Sequence, residues 1–136
     1  MERVLAVVSD VKNLSELLAG ARIEEATLAC VGGRMQLTLE VTRAVVEQQR
    51  VVRQGFRRRV ETPWAKSRVV INGIRTVTQR PAPVEGSAAD LPLLSCDAVA
   101  GGYHLTVQDP AGWQFVLEVE QLTGSFTDVG ELIHAS

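Results

Sequence analysis

Hydrophobic residues follow two different periods along this chain. Residues 3–8 form a short β-branched run that reads as a strand. Val11, Leu14, Leu17, Leu18 and Ala21 then recur at three- and four-residue steps, which predicts a helix over residues 10–20. Asn13 with Glu16 three residues on offers a capping pair, Asp10 is the rival cap, and Gly20 suits the left-handed position that ends a helix. From residue 23 the period changes to two. Met35, Leu37, Leu39 and Val41 fall on one face and Gln36, Thr38, Glu40 and Thr42 on the other. Such alternation marks a half-buried antiparallel strand. Residues 23–31 and 35–42 are therefore expected to form a hairpin around Gly32-Gly33. A strand follows that glycine pair, whereas a phosphate loop needs a helix there.

The next stretch supports two readings. Val45, Gln49, Val52 and Phe56 would share a helical face, and the same residues could form a long hairpin. Gly55 and the triple Arg57-Arg58-Arg59 favour an exposed loop or arm, and Thr62-Pro63 biases the backbone away from helix. Residues 67–72 and 74–78 read as strand with Gly73 as a bulge. Residues 81–92 hold three prolines, a glycine and several alanines, the composition of a mobile surface loop. Beyond it, residues 93–99 read as a strand and Gly101-Gly102 as a turn. Tyr103, Leu105 and Val107 share a face, and Asp109-Pro110-Ala111-Gly112 suits a type I turn. Trp113, Phe115, Leu117 and Val119 alternate with polar positions, residues 122–129 add a last strand, and the tail 130–136 is expected to fray.

The fold class expected is a single mainly antiparallel α+β domain over residues 1–136. It would be a curled sheet or partly open barrel of about six to seven strands with one main helix. The recurrence of Gly-Gly followed by Leu-Thr, at residues 32–38 and 101–106, raises the reading of two related three-stranded units.

Composition narrows the setting. A chain of 136 residues is one domain by size. Its two cysteines, Cys30 and Cys96, form no CxxC pair or disulfide framework. The first apolar run is too short for a signal peptide or a spanning segment, so no membrane role and a reducing, cytoplasmic setting are expected.

Charge changes the picture more. Residues 43–80 carry ten basic groups against two acids, a net of +8. Residues 1–42 carry four against six, and residues 81–136 carry eight acids and no Lys or Arg, so the total of −2 hides a polarised molecule. Such asymmetry points to an anionic partner or to segments that neutralise one another.

Little else carries chemistry. His104 and His134 are the only histidines, no Ser lies in a nucleophile motif, and Cys30, Cys96, His104 and Asp97 could bind zinc only if both hairpins packed side by side. Glu118 and Glu120, on one face of a strand, read as a solvated pair. No catalytic residue, metal or cofactor is assigned. The candidate binding site is the basic segment 43–68: Arg50, Arg53, Arg57, Arg58, Arg59, Trp64, Lys66 and Arg68. Guanidinium forks hold carboxylate or phosphate in bidentate fashion, and an indole supplies a packing anchor. The expected partner is an acidic protein surface, on the same subunit, a neighbour or another protein. RNA or DNA is the alternative, since those arginines would also hold phosphate and an aromatic could stack on a base. The acidic pI of 5.7 is unlike most nucleic-acid binders. A small enzyme with an unidentified cleft is the second alternative, and an exposed strand edge allows a homodimer.

Several short segments resemble an uncharacterised alphaproteobacterial family, the domain-of-unknown-function family 2948. They are Phe56-Arg57-Arg58-Arg59, the strand ending in Asn72-Gly73-Ile74, Leu93-Leu94 after a variable loop, Leu117-Glu118-Val119-Glu120, and Thr127-Asp128-Val129-Gly130. The resemblance covers a little over half of the chain, mainly residues 56–130. The resemblance implies a small cytoplasmic protein without an assigned activity, and it supplies no catalytic residue.

Overall fold

The computed structural model describes residues 2–19, 21–45, 50–55, 57–81, 93–109 and 113–133, with backbone alone at 50, 52–54, 57–61, 109 and 130–133. The alternating segments become strands β1 (Glu2–Leu5), β2 (Arg22–Val31), β3 (Arg34–Ala44), β4 (Arg50–Gln54), β5 (Arg57–Glu61), β6 (Trp64–Pro81), β7 (Leu94–Val99), β8 (Gly102–Asp109) and β9 (Trp113–Ile133). The one helix among the described residues, α1, spans Val8–Leu17. Seven strands make one antiparallel sheet in the order β2-β3-β6-β9-β8-β7, with β1 added along β9. The sheet is not closed into a barrel; β2 and β7 are its ends among the described strands. Two meanders, β2-β3-β6 and β7-β8-β9, meet where β6 pairs with β9. The described residues are thus mostly sheet, and the α component among them is a single ten-residue helix.

Three sequence expectations are corrected. The helix begins at Val8, before Asp10. Asp10 sits in its first turn and its Oδ2 accepts the Ala6 and Val7 backbone N–H groups at 2.9 and 3.0 Å. These bonds hold its carboxyl below the ordinary carboxylate range. The Asn13–Glu16 pair therefore lies inside the helix and does not start it. Residues 67–78 belong to one strand that already begins at Trp64, and residues 113–133 form one strand instead of two. Gly20, Pro110, Ala111, Gly112, most of the proline-rich loop and the last three residues lie outside the described residues.

The two long strands bend together. Asn72 pairs with Thr123 and Ile74 with Val119, so Glu120, Gln121 and Leu122 stand opposite Gly73 alone. Gly73 takes φ +67°, a left-handed value that favours glycine. Extra residues in a ladder increase twist and bend the strand. On one side of the bend lie β2, β3, β1 and the adjoining parts of β6 and β9; on the other lie β7, β8 and the remaining parts.

One apolar cluster joins both sides to the helix. Val11, Leu14 and Leu18 from the helical segment meet Leu37, Leu39 and Val41 of β3, Val69 and Ile71 of β6, Leu105 and Val107 of β8, and Leu117 and Phe126 of β9. Full burial of each such side chain stabilises by about 2 kcal/mol, before entropy is counted. The helix also packs on β7, so it covers that end of the sheet.

Candidate functional site

The main sheet runs out at residue 44 and resumes at residue 64. Between them the chain forms a two-stranded sheet of its own, β4 paired with β5. The stretch that the sequence left between helix and hairpin is therefore a hairpin over its described part. The Val45 N–H donates to the Pro63 carbonyl at 2.8 Å, which holds the two ends of this arm together. Gly55, at φ +63°, turns it. The register sets Arg50 opposite Glu61, Val52 opposite Arg59, Arg53 opposite Arg58 and Gln54 opposite Arg57. Five of the predicted site residues, Arg50, Arg53, Arg57, Arg58 and Arg59, are thus gathered on one ribbon. Phe56 lies outside the described residues.

The other three, Trp64, Lys66 and Arg68, occupy alternate positions at the start of β6, opposite in phase to the buried Ala65, Ser67 and Val69. Trp64 is half-buried at the root of the arm. It lines a shallow cleft of ≈ 250 Å³ with Arg22, Glu24 and Thr42. Lys66 is exposed. Arg68 is committed elsewhere: its Nε donates to Glu40 Oε1 on β3 at 2.7 Å. The structure therefore joins seven of the eight residues along one arm and its root, and ties the eighth to the sheet.

A buried residue at this root was missed. Arg43 is the next-to-last residue of β3 and is 1 % exposed. Its Nε and Nη2 donate to Asp128 Oδ1 and Oδ2 at 3.1 and 2.9 Å, and Ser67 Oγ donates to Oδ1 at 2.6 Å. The guanidinium also stands over the Phe126 ring, 5.6 Å from its centroid. Burial alone would raise the Asp128 carboxyl. The hydrogen bonds from Arg43 and Ser67 and the guanidinium charge outweigh it and hold the group below its ordinary value. A signal existed in the sequence: Arg43 extends the apolar phase of Met35, Leu37, Leu39 and Val41, and Asp128 extends that of Phe126. A charge in the core phase on each of two strands asks for a partner.

Four acids of the sheet meet cations or a histidine of the same sheet. Besides Asp128 with Arg43 and Glu40 with Arg68, Glu120 Oε1 lies 3.3 Å from Arg75 and 3.7 Å from Arg34. His104 Nε2 lies 3.3 Å from Glu118 Oε1. Cys30 and Cys96 stand on the two end strands of the sheet, β2 and β7. Burial, with the neighbouring Asp97 second, pushes the Cys96 thiol up. Among the described residues no group of three or more His, Cys, Asp or Glu could hold a metal ion, and no helix is long and apolar enough to cross a membrane.

No protein-family model, curated protein or solved structure matches this chain.

Proposed function

We infer that this protein is a non-enzymatic interaction protein whose β4–β5 arm and its root engage an acidic protein surface. The carrying observation is the segregation of charge onto a separate ribbon. Residues 50–61 hold five arginines against one acid, a net of +4, which leaves −6 on the rest of the chain. The ion pairs Arg43–Asp128 and Arg75–Glu120 join the basic stretch 43–80 to the acidic C-terminal third, while the arm forms a ribbon of its own beside the main sheet. An acidic protein patch is local and can be reached by a ribbon. A nucleic acid carries charge along its whole length and would run past a body of net −6, whose repulsion opposes it. Trp64 at the root supplies the aromatic anchor such contacts use.

The test is a salt titration of binding to poly-L-glutamate and to single- and double-stranded nucleic acid, wild type against Arg57/Arg58/Arg59→Ala. The expected result is binding to the polypeptide that weakens with salt and is largely lost in the triple variant. Preference for nucleic acid would replace this reading with the polyanion one. Equal binding by wild type and variant would remove the arm from the site.

A further inference from the structure

A second surface, independent of the arm, is the free edge of β2. This ten-residue strand pairs only with β3 among the described strands, so one row of its backbone groups faces outward. Three other edges of the main sheet are guarded. β1 has four residues and carries Glu2 and Arg3. β7 has six and lies against the helix. The part of β6 beyond β3 is flanked by Arg75 and ends in Arg80 and Pro81. Charge, brevity, proline and a covering helix are the usual means of blocking strand addition. β2 has such means only at its beginning, where Arg22, Glu24 and Glu25 cluster and the register shifts between Ile23 and Glu25. Residues 26–31, Ala-Thr-Leu-Ala-Cys-Val, have no charge and no proline. Leu28 is 44 % exposed and Val31 55 %, although Leu28 lies in the phase that faces the core elsewhere in the hairpin.

We propose that a second copy of this chain covers this edge, with β2 paired antiparallel to β2 across a two-fold axis through Leu28. Self-pairing sets residue i opposite residue 56 − i. Leu28 then meets the partner's Leu28, Ala26 meets the partner's Cys30 and Thr27 meets the partner's Ala29. Charge favours this centre over one at the start of the strand. Glu25 falls opposite the partner's Val31, and Val31 is the register neighbour of Arg34, so the next position along that row is the partner's Arg34. Centring the pair on Glu25 instead would oppose identical carboxylates, which destabilises a ladder. The two sheets become continuous through the interface, and the exposed Leu28 side chains are buried against each other. A two-fold contact of this kind closes on itself and forms no filament.

The experiment measures the mass of the full chain in solution over a micromolar-to-millimolar series. The variants are Leu28→Lys and, with Cys30→Ser and Cys96→Ser, Leu28→Cys treated with a short bis-maleimide. Lys12→Cys in the same background, on the helix, is the control for random collision. Expected are a species of twice the 14.8 kDa chain mass, a dissociation constant raised at least about tenfold by Leu28→Lys, and cross-linked dimer through residue 28 but not residue 12. A single-chain mass throughout the series overturns the proposal. So does a dimer that survives Leu28→Lys or fails to cross-link through residue 28. Since Arg57/Arg58/Arg59→Ala leaves β2 untouched, its dimerisation tests this edge separately from the arm.

Discussion

Arg43 and Asp128 are the residues where physics and location coincide most closely. A guanidinium that is 1 % exposed has given up its hydration, and the Asp128 carboxylate takes two of its hydrogen bonds. Removing Asp128 takes two hydrogen bonds and the counter-charge from a buried cation. Asp128→Ala is expected to lower the free energy of unfolding by roughly 3 kcal/mol, read from the urea midpoint. A loss below 1 kcal/mol would mean that Arg43 is satisfied without Asp128. The pH dependence has a definite sign. The folded Asp128 carboxyl titrates below its ordinary value of 3.8, so the unfolded chain binds the proton more readily. Its contribution is complete above the unfolded value and is lost as pH falls through the folded one. Urea titrations between neutral and acid pH should show wild type losing more stability than Asp128→Asn. Parallel curves would contradict the assignment.

At the level of elements, the arm stores a conflict. Arg53 and Arg58 stand directly opposite in the ladder, and like charges so placed weaken a hairpin. Arg58→Thr is expected to stabilise the protein by about 0.5 kcal/mol, with the gain shrinking as salt screens the repulsion. Thermal denaturation at low and high salt reads both parts. Destabilisation instead would reveal a favourable partner for Arg58 in the folded chain. The bend of the sheet offers another test. Gly124 on β9 passes between β6 and β1, where an added Cβ would lie 2.5 Å from the Val70 carbonyl oxygen and 3.3 Å from Leu5 Cδ1. Gly124→Ala should cost about 1–3 kcal/mol, because backbone must shift. An unchanged melting temperature would show that β1 can move away at no cost.

For the molecule as a whole, the decisive quantity is the distribution of charge. A net of −2 would suggest no strong field, yet the +4 ribbon stands on a chain whose other residues sum to −6. Encounter with an acidic surface should be steered by the arm and should slow as ionic strength rises. Stopped-flow association with poly-L-glutamate is expected to show a rate falling with salt, and a weaker dependence for Arg57/Arg58/Arg59→Ala. Identical salt dependence in both would place the steering charge elsewhere.

The sequence by itself determined most strand segments, the Gly32-Gly33 and Gly101-Gly102 turns and the list of arginines, because period-two alternation, Gly-Gly pairs and charge runs are local properties. It also placed the helix, within a turn of its true start, since the apolar spacing is local too. It left residues 44–56 open because Val45, Gln49, Val52 and Phe56 satisfy a helical face and a hairpin equally well; pairing of β4 with β5 decided the matter for the described part. Only the tertiary structure joined β6 to β9, since that ladder links residues about 50 apart and no local pattern encodes a partner at such a distance. The pairing of β6 with β9 brought Asp128 beside Ser67 and Glu120 beside Arg75, the pairing of β3 with β6 set Arg43 near Ser67 and Glu40 opposite Arg68, and the strand order left β2 as an edge. Each of these depends on which strands become neighbours, a choice made by the whole core at once.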